Sequence, residues 1–114
     1  AYGELLYRAL DAVERARKEG LDVGLVNKST LNLCDAATLA EVGKTPFVLV
    51  VEGQNRLTGL GIRYGSWLLA EGHAPRYDYM GVVRPGDGGL DDHIPYQGIS
   101  PDHILERIRA MARK

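Results

Sequence analysis

Residues 46–62, P-F-V-L-V-V-E-G-Q-N-R-L-T-G-L-G-I, constrain the fold more than any other stretch of the chain. Residues 47–51 form an unbroken apolar run that Glu52 ends abruptly. Such a run of Phe, Val and Leu fits a strand buried on both faces, as in a parallel sheet covered by helices. Pro46 stands at its first residue, where proline is tolerated. A polar loop follows, and Thr58-Gly59-Leu60-Gly61 opens a helical pattern. One charged residue therefore sits where a buried strand reaches the rim, and in open α/β sheets that rim is where ligands and partners dock.

The flanking sequence supplies helices to cover such a sheet. Residues 4–19 place Leu5, Leu6, Ala9, Leu10, Val13 and Ala16 on one helical face and Arg8, Asp11, Arg15 and Lys18 on the other. Gly20 is a suitable stop. Residues 21–26 read as a short strand. Asp35 caps a helix over residues 36–42, closed by Gly43. Thr58 can cap a helix over residues 59–71, where Gly61 and Gly65 stand one turn apart. Their missing side chains let that helix approach a sheet closely, at about 1 kcal/mol each relative to alanine. Residues 77–83 read as a third strand, and residues 84–98, rich in Gly and Pro, as an irregular excursion over the rim. Ser100-Pro101-Asp102 starts a last helix whose buried stripe is Ile104, Leu105, Ile108 and Met111. Strands alternating with helices imply a largely parallel sheet between two helical layers.

The 114 residues suit a single domain, residues 1–114. A net charge of -1 gives no general argument for nucleic acid or an anionic membrane. The single cysteine, Cys34, cannot close an intramolecular disulfide. With no signal-like or membrane-spanning apolar segment, the expected location is the cytoplasm.

The candidate sites are few. Glu52 has two readings: a carboxylate aimed at a ligand, or an acceptor for loop amides and the positive end of the next helix. The second is the commoner use of a strand-end carboxylate. Thr58, Gly59 and Gly61 could cradle an anion on bare amides. The spacing is neither the dinucleotide fingerprint nor a P-loop, and close helix packing explains the glycines as well. Asp87, Asp91, Asp92 and His93 lack the spacing of a calcium loop and read as solvated. His73, His93 and His103 show no metal-ligand spacing. Cys34 reads as a small buried hydrophobe. No catalytic, cofactor or metal residue is assigned. Glu52, Thr58, Gly59 and Gly61 remain as an interface or anion site.

Several of these runs resemble the C-terminal domain of transketolase-like, thiamine-diphosphate-dependent enzymes. This group includes transketolase, deoxyxylulose-phosphate synthase and 2-oxoacid dehydrogenase β-subunits. Tyr2-Gly3-Glu4 leads into a helix bearing Ala9 and Ala12, and Gly20-Leu21-Asp22-Val23 is similar to the family's helix-to-strand turn. Residues 45–53 resemble its threonine, apolar run and terminal glutamate. Thr58-Gly59-Leu60-Gly61 resembles its Gly-Gly-Leu-Gly element, with Thr58 in place of the first glycine. Tyr96-Gln97-Gly98-Ile99, followed by His103-Ile104, is similar to the lead into its last helix. Lys28-Ser29-Thr30-Leu31-Asn32 departs from the family's Lys-Pro-Leu-Asp type run.

The resemblance implies a three-layer α/β/α sandwich on a mostly parallel mixed sheet. It also implies a non-catalytic domain that supports a homodimer and contacts the remaining domains or subunits of its parent. That parent would move a two-carbon ketol unit between sugar phosphates. Thiamine diphosphate and Mg are implied for the parent and no cofactor for this domain. Within the family, the alternative is the end of a 2-oxoacid dehydrogenase β-subunit that docks an acyltransferase. Outside it, the alternative is a flavodoxin-like binding or regulatory module. The family's strand before Tyr2 has no counterpart in the sequence, so the first strand is expected to be truncated and its place in the sheet to invite pairing with another chain.

Overall fold

A computed structural model describes residues 1–84 and 90–113, with the side chains of residues 90–92 left aside. A 3-10 turn, Gly3–Leu5, runs into α1 (Leu6–Lys18), and α2 (Ala36–Gly43), β1 (Phe47–Asn55), α3 (Leu60–Ala70), β2 (Arg76–Val82), α4 (Leu90–Tyr96) and α5 (Pro101–Ala112) follow. Most boundaries have a local cause. Gly20 and Gly72 adopt φ of 88° and 80° just beyond α1 and α3, a region costly for any residue with a side chain. The Asp35 carboxylate accepts hydrogen bonds from the Ala37 and Thr38 amides at the start of α2. Ser100 Oγ accepts from the His103 amide, and Pro101 sits where its missing N–H costs nothing.

β1 and β2 pair in parallel, with Phe47 beside Arg76 and Val51 beside Met80. Side chains alternate along β1, so each face feeds a different layer. Phe47, Leu49 and Val51 pack with Val13 of α1 and with Ile104 and Ile108 of α5. Val48 and Val50 pack with Leu39 of α2 and with Leu60, Tyr64 and Leu68 of α3. The result is a three-layer α/β/α sandwich with the sheet in the middle. The stripe expected on α5 (Ile104, Leu105, Ile108 and Met111) is fully buried.

The structure corrects four readings. Residues 21–26 form no strand. A ladder needs a neighbour, and among the described residues the sheet pairing nearest this segment is a single parallel bridge from Lys28, just beyond it, to Tyr2. Residues 84–98 are not wholly irregular, because α4 lies within them. It persists despite Pro95 because Ile94 and Ile99 are buried in the α1/α5 layer and tertiary contact outweighs weak local propensity. Asp87 lies outside the described residues, as do the side chains of Asp91 and Asp92. Cys34 is exposed, not buried, because it precedes α2 in a stretch, residues 32–37, that is exposed throughout. Thr58 caps nothing: α3 starts one residue later than expected, after Gly59, with no cap from its own loop.

Candidate functional site

The rim at the C-terminal end of β1 is built around a break in register. Between Val51 and Asn55, β1 advances four residues while β2 advances two, from Met80 to Val82. Such a bulge bends the strand and re-aims its side chains. Gly81 makes it possible, since a Cβ there would lie 2.8 Å from the Gln54 carbonyl oxygen.

Glu52 sits in this bulge with no exposed surface. Its carboxylate turns to the start of α3. Oε1 accepts from the Leu60 amide at 2.7 Å and Oε2 from the Gly61 amide at 2.6 Å. A carboxylate from eight residues back therefore replaces the missing local cap, with the positive end of the helix as its counter-charge. Gly59 is required by this arrangement, because a Cβ there would fall on the Glu52 carboxylate. Gly61 and Gly65 meet the sheet. Added Cβ atoms would lie 2.5 Å from the Tyr79 Cβ and 2.9 Å from the Tyr77 ring. The Tyr77 hydroxyl donates to the Gly61 carbonyl, and burial pushes that phenol above its ordinary range.

The structure thus brings Glu52, Gly59 and Gly61 together and leaves Thr58 at their edge. An anion at the Leu60 and Gly61 amides would have to displace the Glu52 carboxylate.

Three further residues shape the rim. Asn55 accepts from the Leu57 amide through its side chain and from the Thr58 and Gly59 amides through its carbonyl, which closes the loop. An Asn in a polar loop was the available signal for this turn, since its side chain can bond the backbone two residues on. Arg56 donates to the Tyr79 carbonyl at 3.1 Å, stacks 4.2 Å from the Tyr79 ring centroid and faces Asp78, which also pairs with Arg107. Gln97 is buried beside the end of β2. Its Oε1 accepts from the Val83 and Arg84 amides, and its Nε2 donates to the Arg84 carbonyl. Around this braced rim, Leu57 and Ile62 stand exposed at 67% and 43%. Among the described residues no three His, Cys, Asp or Glu side chains converge as a metal site, and no helix is long and apolar enough to cross a membrane.

The family described as "Transketolase, C-terminal domain" matches residues 1–104. The chain belongs to the transketolase C-terminal domain family. Its fold is similar to a solved chain described as "Split gene transketolase, inactive beta4 tetramer", with a TM-score of 0.85 at 20% identity. The match covers 98% of this chain and 36% of the other, so the transketolase C-terminal fold here spans about a third of that chain's length. No curated protein sequence matches the chain.

Proposed function

We propose that this domain is the non-catalytic, dimer-supporting end of a transketolase-type enzyme that transfers a two-carbon ketol unit between sugar phosphates. The parent's thiamine diphosphate and Mg are held by its other domains or subunits, and this domain binds neither. One observation carries the reading within the family. Glu52, the one buried carboxylate at the rim among the described residues, has both oxygens committed to α3 amides. A group held in that way shapes a surface and does not exchange protons with a substrate. The surface it shapes presents Leu57 and Ile62, apolar residues of the kind that interfaces bury. The tetrameric assembly of the similar split-gene transketolase supports a domain that works among subunits. In this reading Gly59 and Gly61 are packing residues beneath the contact.

Two measurements test it. Calorimetric titration of thiamine diphosphate into the chain, with Mg present, is expected to give no saturable heat, and micromolar binding would overturn the reading. By sedimentation, the chain is expected to form a dimer that Leu57→Asp weakens at least tenfold with the melting temperature unchanged. An unaltered dimer would move the contact away from the rim.

A further inference from the structure

Among the described residues the sheet ends at β2, whose outer edge has no strand beside it. An edge of this kind presents N–H and C=O groups on which another chain can add a strand. The pairing with β1 tells which residues present them. The Arg76 amide donates to the Pro46 carbonyl, and the Val82 carbonyl accepts from the Arg56 amide. Arg76, Asp78 and Met80 therefore turn their backbone groups toward β1, and Tyr77 and Tyr79 turn theirs outward.

Tyr79 stands at the middle of β2, and both of its outward groups are taken. Its amide donates to Asp78 Oδ1 at 2.8 Å, and its carbonyl accepts from Arg56 Nε at 3.1 Å. Neither bond is made to a neighbouring strand. Asp78 bends its carboxylate onto the next amide of its own strand. Arg56 follows β1 and passes close over Gly81, where an added Cβ would lie 3.1 Å from the Arg56 Cα. From there its side chain comes down on the outer edge.

Asp78 is held in turn. Its Oδ2 accepts from Arg107 Nη1 of α5, and its Oδ1 faces Arg56 Nη2 at 3.8 Å. Alternation places Asp78 with Met80 on the α1/α5 side of the sheet, and Tyr79 on the α2/α3 side. The Arg56 guanidinium faces the carboxylate on one side and lies 4.2 Å from the Tyr79 ring centroid on the other. A group that meets both lies across the edge between them. A further strand would need that space, since neighbouring strands run about 4.8 Å apart. The ion pairs are partly exposed, so each adds little stability. What sets the three residues apart is that they occupy backbone groups an added strand would use.

We propose that Arg56, Asp78 and Arg107 form an edge lock that closes the outer side of β2 to strand addition, and that the strand it excludes is β2 of a second copy. Two observations name that partner. Tyr77, Tyr79 and Val82 have the composition of a pairing strand, and Asp78 is the only acid among them. An antiparallel pair of two β2 strands centred on Tyr79 also sets the outward groups of both face to face. That arrangement is two-fold and closed, as contacts between identical chains usually are. The lock is independent of the rim contact proposed above.

The test follows amide exchange at Tyr79 and mass by sedimentation over a range of concentrations. In dilute Asp78→Ala, the Tyr79 amide is expected to exchange at least tenfold faster than in the parent chain. On concentration, that variant should reach at least twice the parent's mass and protect Tyr79 again. Arg56→Ala frees the Tyr79 carbonyl but leaves the Asp78 bonds in place. It should also gain mass, and it decides the matter if Asp78→Ala does not fold. Asp78→Asn keeps an oxygen for the amide and should restore most of the protection. Ile108→Val loosens the core with the edge intact and should keep the parent's mass. Unchanged Tyr79 exchange in Asp78→Ala, or the parent's mass in both alanine variants, would overturn the proposal. So would an equal gain in mass by Ile108→Val, which would trace association to unfolding. A gain in mass with Tyr79 still unprotected would overturn it as well, by placing the new contact elsewhere.

Discussion

Glu52 and Gln97 hold the ends of neighbouring strands, and they do so by opposite means. Glu52 is a charge with two N–H partners and no exposure, reaching forward to the next helix. Gln97 is a neutral amide, with its oxygen on two backbone N–H groups and its nitrogen on one carbonyl, reaching back from the end of α4 to the end of β2. The first brace needs the positive end of a helix as its counter-charge. The second is self-complementary and needs only a turn of backbone. The difference teaches where each tolerates change: the charged brace fails if either its charge or the helix start moves, whereas the amide loses its bonds one at a time.

The largest effect should come from the charge. Glu52→Ala is expected to cost about 3–5 kcal/mol in urea unfolding, because two charge-assisted bonds go and two buried amides lose their acceptor. Glu52→Gln should recover about half, since one oxygen remains while its NH2 faces an N–H. Gln97→Ala is expected to cost less, about 1–3 kcal/mol, because its partners are neutral and lie nearer solvent. Equal costs for the two alanine variants would erase the distinction between charged and neutral braces.

Gly61→Ala sharpens the comparison from beneath. The helix gains in propensity, but the new methyl meets Tyr79, and the net loss is expected at about 1–2 kcal/mol, with the Tyr79 ring resonances shifted by NMR. The smallest effect is the control. Asp35 is also a carboxylate at a helix start, but an exposed one. The Thr38 hydroxyl, then the Thr38 and Ala37 amides, hold its carboxyl below the ordinary 3.8. The unfolded chain therefore binds the proton first. The stabilisation is complete above that ordinary value and is lost as pH falls through the lower folded one. Asp35→Ala should lower the melting temperature modestly near neutral pH, where the cap is fully present, and flatten the acid limb, so that variant and parent converge as pH falls, measured as melting temperature against pH. A difference that persists undiminished at acid pH would show that Asp35 acts through something other than its charged cap.

The same two braces show what the sequence made legible. Glu52 stood out because it interrupts an apolar run, and the run itself has one reading. α1, α2, α3 and α5 were marked by a 3.6-residue period or by caps, and β2 was read over residues 77–83, within one residue of its bounds. Gln97 was hidden in a stretch dense in glycine and proline, where local chemistry favours turns. The burial of Ile94 and Ile99 helps make α4 worth forming, and that burial depends on residues far along the chain. The strand expected over residues 21–26 failed for a related reason. Strand propensity is local, but a strand exists only beside a partner. The capping role given to Thr58 went to Glu52 because a side chain from another element reached the same amides, which no local pattern announces.

α1 and α5 form one layer, tied by Arg15 to Asp102 and by Arg109 to Glu19 across 87 and 90 residues of sequence. Closing so long a loop is slow and gives nothing until both ends are present. A nascent chain emerging from the ribosome would thus keep the face of its first helix that α5 covers open until residues 101–112 had followed. During that interval this face, buried in the finished domain, is the surface on which a chaperone would act.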